Sequence, residues 1–445
     1  MFRATHRVAW AIAIALCAIT PLTSASSVLP EVSPSKVGLS QERLDRISAI
    51  IQKDIDDGHI TGAAAMIIRK GQIGYYENFG FSDREKQIPT SNDTIYRIYS
   101  MSKPITSVAL MMLFEEGKFF LDDPVSKYIP ELGGLQVVVD TTDETGPSFN
   151  IPDEDPTGTA APSKIETDIA TVPAKRDMTI RDLMRHTAGL TYGLFGNTDV
   201  DKMYQKMGIL MLDKDLKQMV EKVSTAPLLF QPGERWHYSI SVDVMGRLVE
   251  VLSGQSFDVF LQDRIFAPLA MHDTGFYVPK DQLDRLAQLY SPAQSGEGIE
   301  PALSFISRNF VNQPTFFSGG GGLVSTTPDY ARFCQMLLNG GKLDGARIIS
   351  RPTIELMTKD HCQDASIGMR AGGSTFGLGF AVVLDQGLSA SQVSEGSYSW
   401  GGAAGTAFWI DPKEELIGIY MMQNLPPQLP FGEVFKNMVY QSIDD

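Results

Sequence analysis

Residues 104–114, Pro-Ile-Thr-Ser-Val-Ala-Leu-Met-Met-Leu-Phe, carry no charged side chain. Their pattern predicts a helix from Ser100 to about Glu116 that is apolar nearly all round, and such a helix has to be enclosed on every side. Pro104 fits only because it falls in the first turn, where its missing N–H is not needed. A chain built around this segment therefore needs layers of structure on both sides of it. Immediately before it stands Ser100-Met101-Ser102-Lys103. Ser-x-x-Lys at a helix start sets a hydroxyl and an ammonium one turn apart on the same face. A serine hydroxyl is a poor nucleophile near neutral pH and needs a neighbour to take its proton. A buried lysine can be that neighbour. Free N–H groups at the helix start lie where an oxyanion would develop.

Before that helix, Leu44, Ile47, Ile51 and Ile55 recur at helical spacing and predict an amphipathic helix over residues 41–57. Ala63–Arg69 and Ile73–Phe79 read as strands of a hairpin around Lys70-Gly71-Gln72. Mid-chain signals are helical. Thr179-Ile180-Arg181-Asp182 has the form of a capping box opening toward His186, Ser241 can cap a helix ending at Ser253-Gly254, and Thr327-Pro328-Asp329 opens another that ends near Asn339. Strand-like runs return at Leu378–Leu384, at Thr406–Ile410, read as an edge strand just after Trp400-Gly401-Gly402, and at Leu416–Met422, followed by a helix over about Phe431–Gln441. Strands at both ends with helices between predict an α/β chain of the α+β type. Residues 26–120 and 315–445 would build one antiparallel sheet flanked by helices, and residues 121–314 an inserted, mostly helical lobe. Within that lobe, residues 133–176 are polar and acidic and read as a surface insertion or a lid. A cleft between the lobes is the natural site.

Residues 1–25 have the layout of a signal peptide: Arg3 and Arg7, an apolar core from Val8 to Ile19, and small residues at Thr23-Ser24-Ala25. The apolar run is too short to span a bilayer. The expected destination is the periplasm or the exterior, with no membrane attachment after cleavage. Loss of the two arginines takes the formal charge from −15 to −17. So acidic a protein repels nucleic acid and anionic membrane surfaces. Cys334 and Cys362 would remain after cleavage. An exported protein can pair them, but Cys334 sits mid-helix among apolar residues, which favours two free thiols.

The motifs carry a resemblance. Ser100–Lys103, the run Thr179-Ile180-Arg181-Asp182-Leu183-Met184-Arg185-His186-Thr187-Ala188-Gly189-Leu190, Gly319-Gly320-Gly321-Gly322-Leu323 and Trp400-Gly401-Gly402 occur in order. From about residue 35 to its end the chain resembles the serine β-lactamase and penicillin-binding fold family. It is most similar to the class C β-lactamases and the family VIII carboxylesterases. The resemblance implies a β-lactamase/transpeptidase-like fold with Ser100 as nucleophile and Lys103 and Tyr238, of Tyr238-Ser239-Ile240, as its proton acceptors. A phenol titrates near 10, so a tyrosine in that place acts as a base only beside a cation. The same resemblance implies that the N–H groups of Ser100 and Ala403 form the oxyanion hole. His237 reads as structural.

Two departures bear on substrate. Class C enzymes end the second motif in Asn and begin the third with Lys, whereas this chain has Ile240 and Trp400. Two polar anchors have become apolar groups, which favours an uncharged, partly apolar acyl ester. Trp400, Gly401, Gly402, Ile240 and Tyr192 are the expected substrate contacts; Tyr192 and Phe195 either line the acyl pocket or pack in the core. No Gly-x-Ser-x-Gly, His-Glu-x-x-His, Cys-x-x-Cys or P-loop pattern occurs, so no metal or other cofactor is expected. The expected activity is ester cleavage through an acyl-serine intermediate, on a small-molecule ester or lactam. A class C-like β-lactamase, a D-Ala-D-Ala peptidase and an acyltransferase using the same site are the alternatives, and a catalytically dead binding or sensor protein is the reading of a different class.

Overall fold

A computed structural model describes residues 29–139, 169–209, 215–302, 310–363, 365, 369 and 372–445. The expected signal peptide and the centre of the 133–176 insertion lie outside these residues.

The hairpin forms as its sequence predicts. Strand β1 (Gly62–Arg69) pairs antiparallel with β2 (Gln72–Asp83), and Arg69 faces Gln72 across a two-residue turn. Lys70 and Gly71 both take positive φ, 53° and 77°, the twist that closes a tight hairpin. β2 continues to Asp83 and pairs with a short β3 (Ile88–Pro89). From the other end of the chain come β4 (Ser374–Phe376), β5 (Ala381–Val383), β6 (Tyr398–Gly401), β7 (Ala407–Asp411) and β8 (Leu416–Met421). These make one antiparallel sheet in the order β4-β5-β6-β7-β8-β1-β2-β3. The two ends of the chain meet where β1 pairs with β8, with Ala64 opposite Met421 and Ile67 opposite Gly418.

Every residue of β1 is buried, because both faces of the sheet are covered. Ala63, Ala65 and Ile67 face α1 (Gln41–Asp56) and the last helix, Phe431–Tyr440. Ala64, Met66 and Ile68 face the larger core that contains α2 (Ser102–Glu115). Fully burying a side chain such as Met66 or Ile67 contributes about 1.5–3 kcal/mol. α2 is enclosed from Ser102 to Leu113, as its uncharged sequence requires. The mid-chain helices are α3 (Ile180–Met184), α4 (Asp199–Met207), α5 (Leu216–Val223), α6 (Ser241–Ser253) and α7 (Phe257–Leu261), followed by α8 (Thr327–Leu338). α6 packs along α2, and this pair carries the site.

Three sequence expectations change. Leu378–Leu384 is not one strand: Gly377 to Phe380 form the turn between β4 and β5, with Gly379 at φ 98°. The strand after Trp400-Gly401-Gly402 is not an edge strand, since β7 lies between β6 and β8, and Trp400 is itself in β6. Ser241 is the first residue of α6 rather than its cap. Thr327 opens α8 as expected, and Thr326 before it is the cap, accepting the Asp329 N–H. The capping box at Thr179 and Asp182 is complete. Cys334 and Cys362 are buried and not joined by a disulfide.

Candidate active site

Ser100 does not start the α-helix. It sits in a 3₁₀ turn, Tyr99–Met101, that leads into α2. The turn is fixed from several sides. Ile98 N–H donates to Leu323 O at 3.1 Å, and Tyr330 of α8 donates its hydroxyl to Met101 O at 2.9 Å. Leu323 N–H donates to Ser102 Oγ at 3.1 Å. Tyr99 is held at φ 41°, a backbone region that non-glycine residues seldom occupy, and it sets the half-buried Ser100 at the bend.

Lys103, in the first turn of α2, is 1% exposed. Its ammonium donates to Ser100 Oγ at 3.1 Å and to the carbonyl of Gly320 at 2.6 Å. The glycine run makes the second contact available. Gly319 and Gly320 thread between α2 and α6, where a Cβ on Gly319 would lie 2.6 Å from Val242 O and one on Gly320 would lie 2.5 Å from Asp243 Oδ2. No larger residue fits there. Asp243, in the first turn of α6, anchors this loop: Oδ1 accepts from Ser318 Oγ at 2.5 Å and from Gly320 N–H at 3.1 Å. Burial pushes the Asp243 carboxyl up, and the Ser318 hydroxyl, the Lys103 charge and the Gly320 amide act against it.

Tyr238 lies in the irregular segment just before α6 and donates its hydroxyl to Ser100 Oγ at 2.8 Å. The Lys103 ammonium stands 4.5 Å from the centre of the Tyr238 ring and 5.2 Å from that of Tyr192. Trp400 donates its indole N–H to the Tyr238 oxygen at 3.4 Å. The rings of Tyr192, Phe195, Trp236 and Trp400 all lie within 6.1 Å of the Tyr238 ring, and Phe376 packs edge-on against Trp400. Tyr192, Phe195, Trp236 and Trp400 are partly exposed, so they form an aromatic wall beside Ser100.

Gly402 packs against the chain that enters the Ser100 bend. Its N–H donates to Thr406 O at 2.7 Å, and a Cβ added there would run into Thr406 Oγ1 and Ile98 O. The 402–405 turn thus lies directly on the backbone that enters the Ser100 bend. Among the described residues, neither the Ser100 nor the Ala403 N–H donates to another group of the protein.

Ser100, Lys103, Tyr238, Tyr192, Trp400, Gly401, Gly402 and Ala403 are therefore brought to one place, and Ile240 is not. Its side chain is wholly buried in the core under the start of α6, so it touches no cleft surface. An apolar residue at the end of a motif is equally what a helix start on a core requires. Sequence reasoning missed the Gly320 carbonyl, Asp243 and Trp236. Asp243 reads in sequence as an ordinary first-turn acid, and nothing local marks it as facing a glycine loop 77 residues away.

The fold recurs in known proteins. The chain is 33% identical over 392 residues to protein Rv1367c of Mycobacterium tuberculosis, covering 86% of this chain and 90% of that one. It is 26% identical over 384 residues to esterase EstB of Burkholderia gladioli, covering 82% and 86%. The solved structure of EstCE1, described as a hydrolase with promiscuous acyltransferase activity, superposes with a TM-score of 0.71 at 26% identity, over 90% of this chain and 99% of that chain. The family model described as Beta-lactamase matches residues 47–438, and with nearly the whole fold inside that match the chain belongs to the beta-lactamase family, a family of serine hydrolases and esterases.

Proposed function

We propose that the protein hydrolyses uncharged carboxylic esters through an acyl-serine intermediate. The observation that carries this reading is the convergence on Ser100 Oγ of the Tyr238 hydroxyl at 2.8 Å and the Lys103 ammonium at 3.1 Å. For the first half-reaction the Tyr238–Lys103 pair enters one proton short of a phenol plus an ammonium, and it takes the Ser100 proton as Oγ attacks the ester carbonyl. The oxyanion is received by the Ser100 and Ala403 amides, each such donor being worth about 2.7–4 kcal/mol in the transition state. Collapse breaks the C–O bond, and the leaving alkoxide takes the proton from the pair. In the second half-reaction Tyr238 draws a proton from water, the hydroxide attacks the acyl carbon, and Ser100 leaves reprotonated. An alcohol in place of water makes the same sequence a transacylation. The name of EstB and the description of EstCE1 support this chemistry.

Substrate class follows from the wall of Tyr192, Phe195, Trp236 and Trp400. It favours an apolar acyl group and offers no cation to a carboxylate at the third-motif position. The test compares p-nitrophenyl acetate, butyrate and octanoate with nitrocefin, using wild-type protein and Ser100→Ala. Ester turnover well above nitrocefin turnover, abolished in the variant, is expected. Dominant nitrocefin turnover would instead make the protein a β-lactamase.

A further inference from the structure

His186 stands in the Thr179–Leu190 segment, and the steps above give it no part. It is 1% exposed and held at φ 58°, in the left-handed region where His is better tolerated than most side chains. Its backbone carbonyl accepts the N–H of His237 at 2.8 Å. Its ring Nδ1 accepts the N–H of Ser239 at 3.3 Å and lies 3.4 Å from the Ser239 hydroxyl. One residue thus takes both amides that flank Tyr238. Its ring also packs 5.0 Å from the Tyr238 ring, with Phe376 at 5.3 Å and Trp236 at 5.9 Å on its other sides.

We infer that His186 is a positioning residue that holds the backbone of residues 237–239 so that the Tyr238 hydroxyl meets Ser100 Oγ. The inference rests on the reading of Tyr238 as a proton acceptor. Tyr238 precedes α6 and makes no strand or helix hydrogen bond that would set its direction. The neighbouring anchor, Ile240 N–H to Thr191 O at 3.3 Å, fixes the helix start but not the tyrosine. A base displaced by an ångström can lose about 10²-fold in rate, so a rigid seat for this segment has a direct kinetic value.

The seat needs a neutral imidazole with its proton on Nε2, because only an unprotonated Nδ1 can accept an amide proton. The surroundings enforce that state. Burial first, and then the charges of Lys103 and His237, hold the His186 ring well below the ordinary histidine range. Nε2 lies buried with no hydrogen-bond partner among the described residues, enclosed by the aromatic rings.

The test uses the full-length protein. Tyr238→Phe comes first: full ester turnover in that variant would remove the role of Tyr238 and with it the basis of this inference. With Tyr238→Phe inactive, His186→Asn and His186→Gly are compared. Both accept a positive φ, and only Asn keeps an acceptor near the Nδ1 position. The expected result is kcat within about 3-fold of wild type for Asn and about 10- to 100-fold lower for Gly, with KM little changed in both. A folded His186→Gly protein with wild-type kcat, or an Asn variant as impaired as Gly, would overturn the proposal. A measurement on the wild-type protein decides the matter even where His186→Gly does not fold. Histidine ¹⁵N–¹H spectra, with the His186 signal assigned by its loss in His186→Asn, should show the Nε2–H tautomer. An Nδ1–H tautomer or an imidazolium would overturn it.

Discussion

Trp400 Nε1 lies 3.4 Å from the Tyr238 oxygen, the same oxygen that donates to Ser100 Oγ. The third motif and the second are thus joined through one phenol, and the tryptophan supplies an N–H to it as well as an apolar face to the cleft. A donor there would stabilise negative charge on the phenol as it gives up its proton.

Trp400→Phe keeps most of the apolar face and removes the N–H. One modest hydrogen bond is lost, so ester kcat is expected to fall about 2- to 10-fold with KM nearly constant. Steady-state kinetics on p-nitrophenyl butyrate checks this, and a change confined to KM would assign Trp400 to binding alone.

Gly402→Ala is expected to be far more damaging. The added methyl meets Ile98 O and Thr406 Oγ1, so the 402–405 turn has to withdraw from the chain entering Ser100. With the Ala403 amide moved from its place, kcat should drop by about 10²-fold or more. Far-ultraviolet circular dichroism should remain that of a folded protein.

Asp329, at the start of α8, makes a pH prediction away from the cleft. Burial pushes its carboxyl up from the ordinary 3.8 to about 6, against the Asp273 N–H and the Thr274 hydroxyl that bond to it. The folded protein therefore keeps this proton to higher pH than the unfolded chain. Stability from this group is complete below about pH 4 and is lost as pH rises through about 6, a change on the order of 2–4 kcal/mol. Urea unfolding between pH 4 and 7 should show that decline in wild type, and a shallower one in Asp329→Asn.

Asp182 should behave in the opposite sense. It is fully buried and bonds Arg176, Arg185, Thr179 and Thr187. Burial alone would raise its carboxyl, but Arg176, the Thr179 N–H and Arg185 outweigh it and hold it below the ordinary carboxylate range. Its contribution is present at neutral pH and is lost as pH falls below that range. Asp182→Asn is expected to cost about 3 kcal/mol or more at pH 7, and the gap from wild type should narrow on acidification. Unfolding curves at pH 7 and at about pH 3, below the ordinary carboxylate range, test this.

What could be read from sequence was what short spacing controls. The three-residue interval from Ser100 to Lys103, the Lys70-Gly71 turn and the Thr179 capping box depend on neighbours in the chain. The Gly377–Phe380 turn was hidden because an apolar, glycine-containing run fits a strand as well as a hairpin. The errors at the site had a different cause. Ile240 occupies the end of a motif, yet whether its side chain meets substrate or core depends on how α6 lies on α2. The partnership of Lys103 with Gly320, 217 residues apart, and the grip of His186 on residues 237 and 239 depend on contacts that no local pattern reports.

The pairing of β1 with β8 has a consequence for how the molecule comes into being. Strand 62–69 finds its hairpin partner β2 at once, but its other edge stays open until residues 416–421 arrive, so this long-range ladder closes late and slowly. β7, paired to β8, leads back to the 402–405 turn that rests on Ile98. A nascent chain therefore holds its serine for hundreds of residues before the opposing amide can face it, and the cleft is assembled only as the last strand docks.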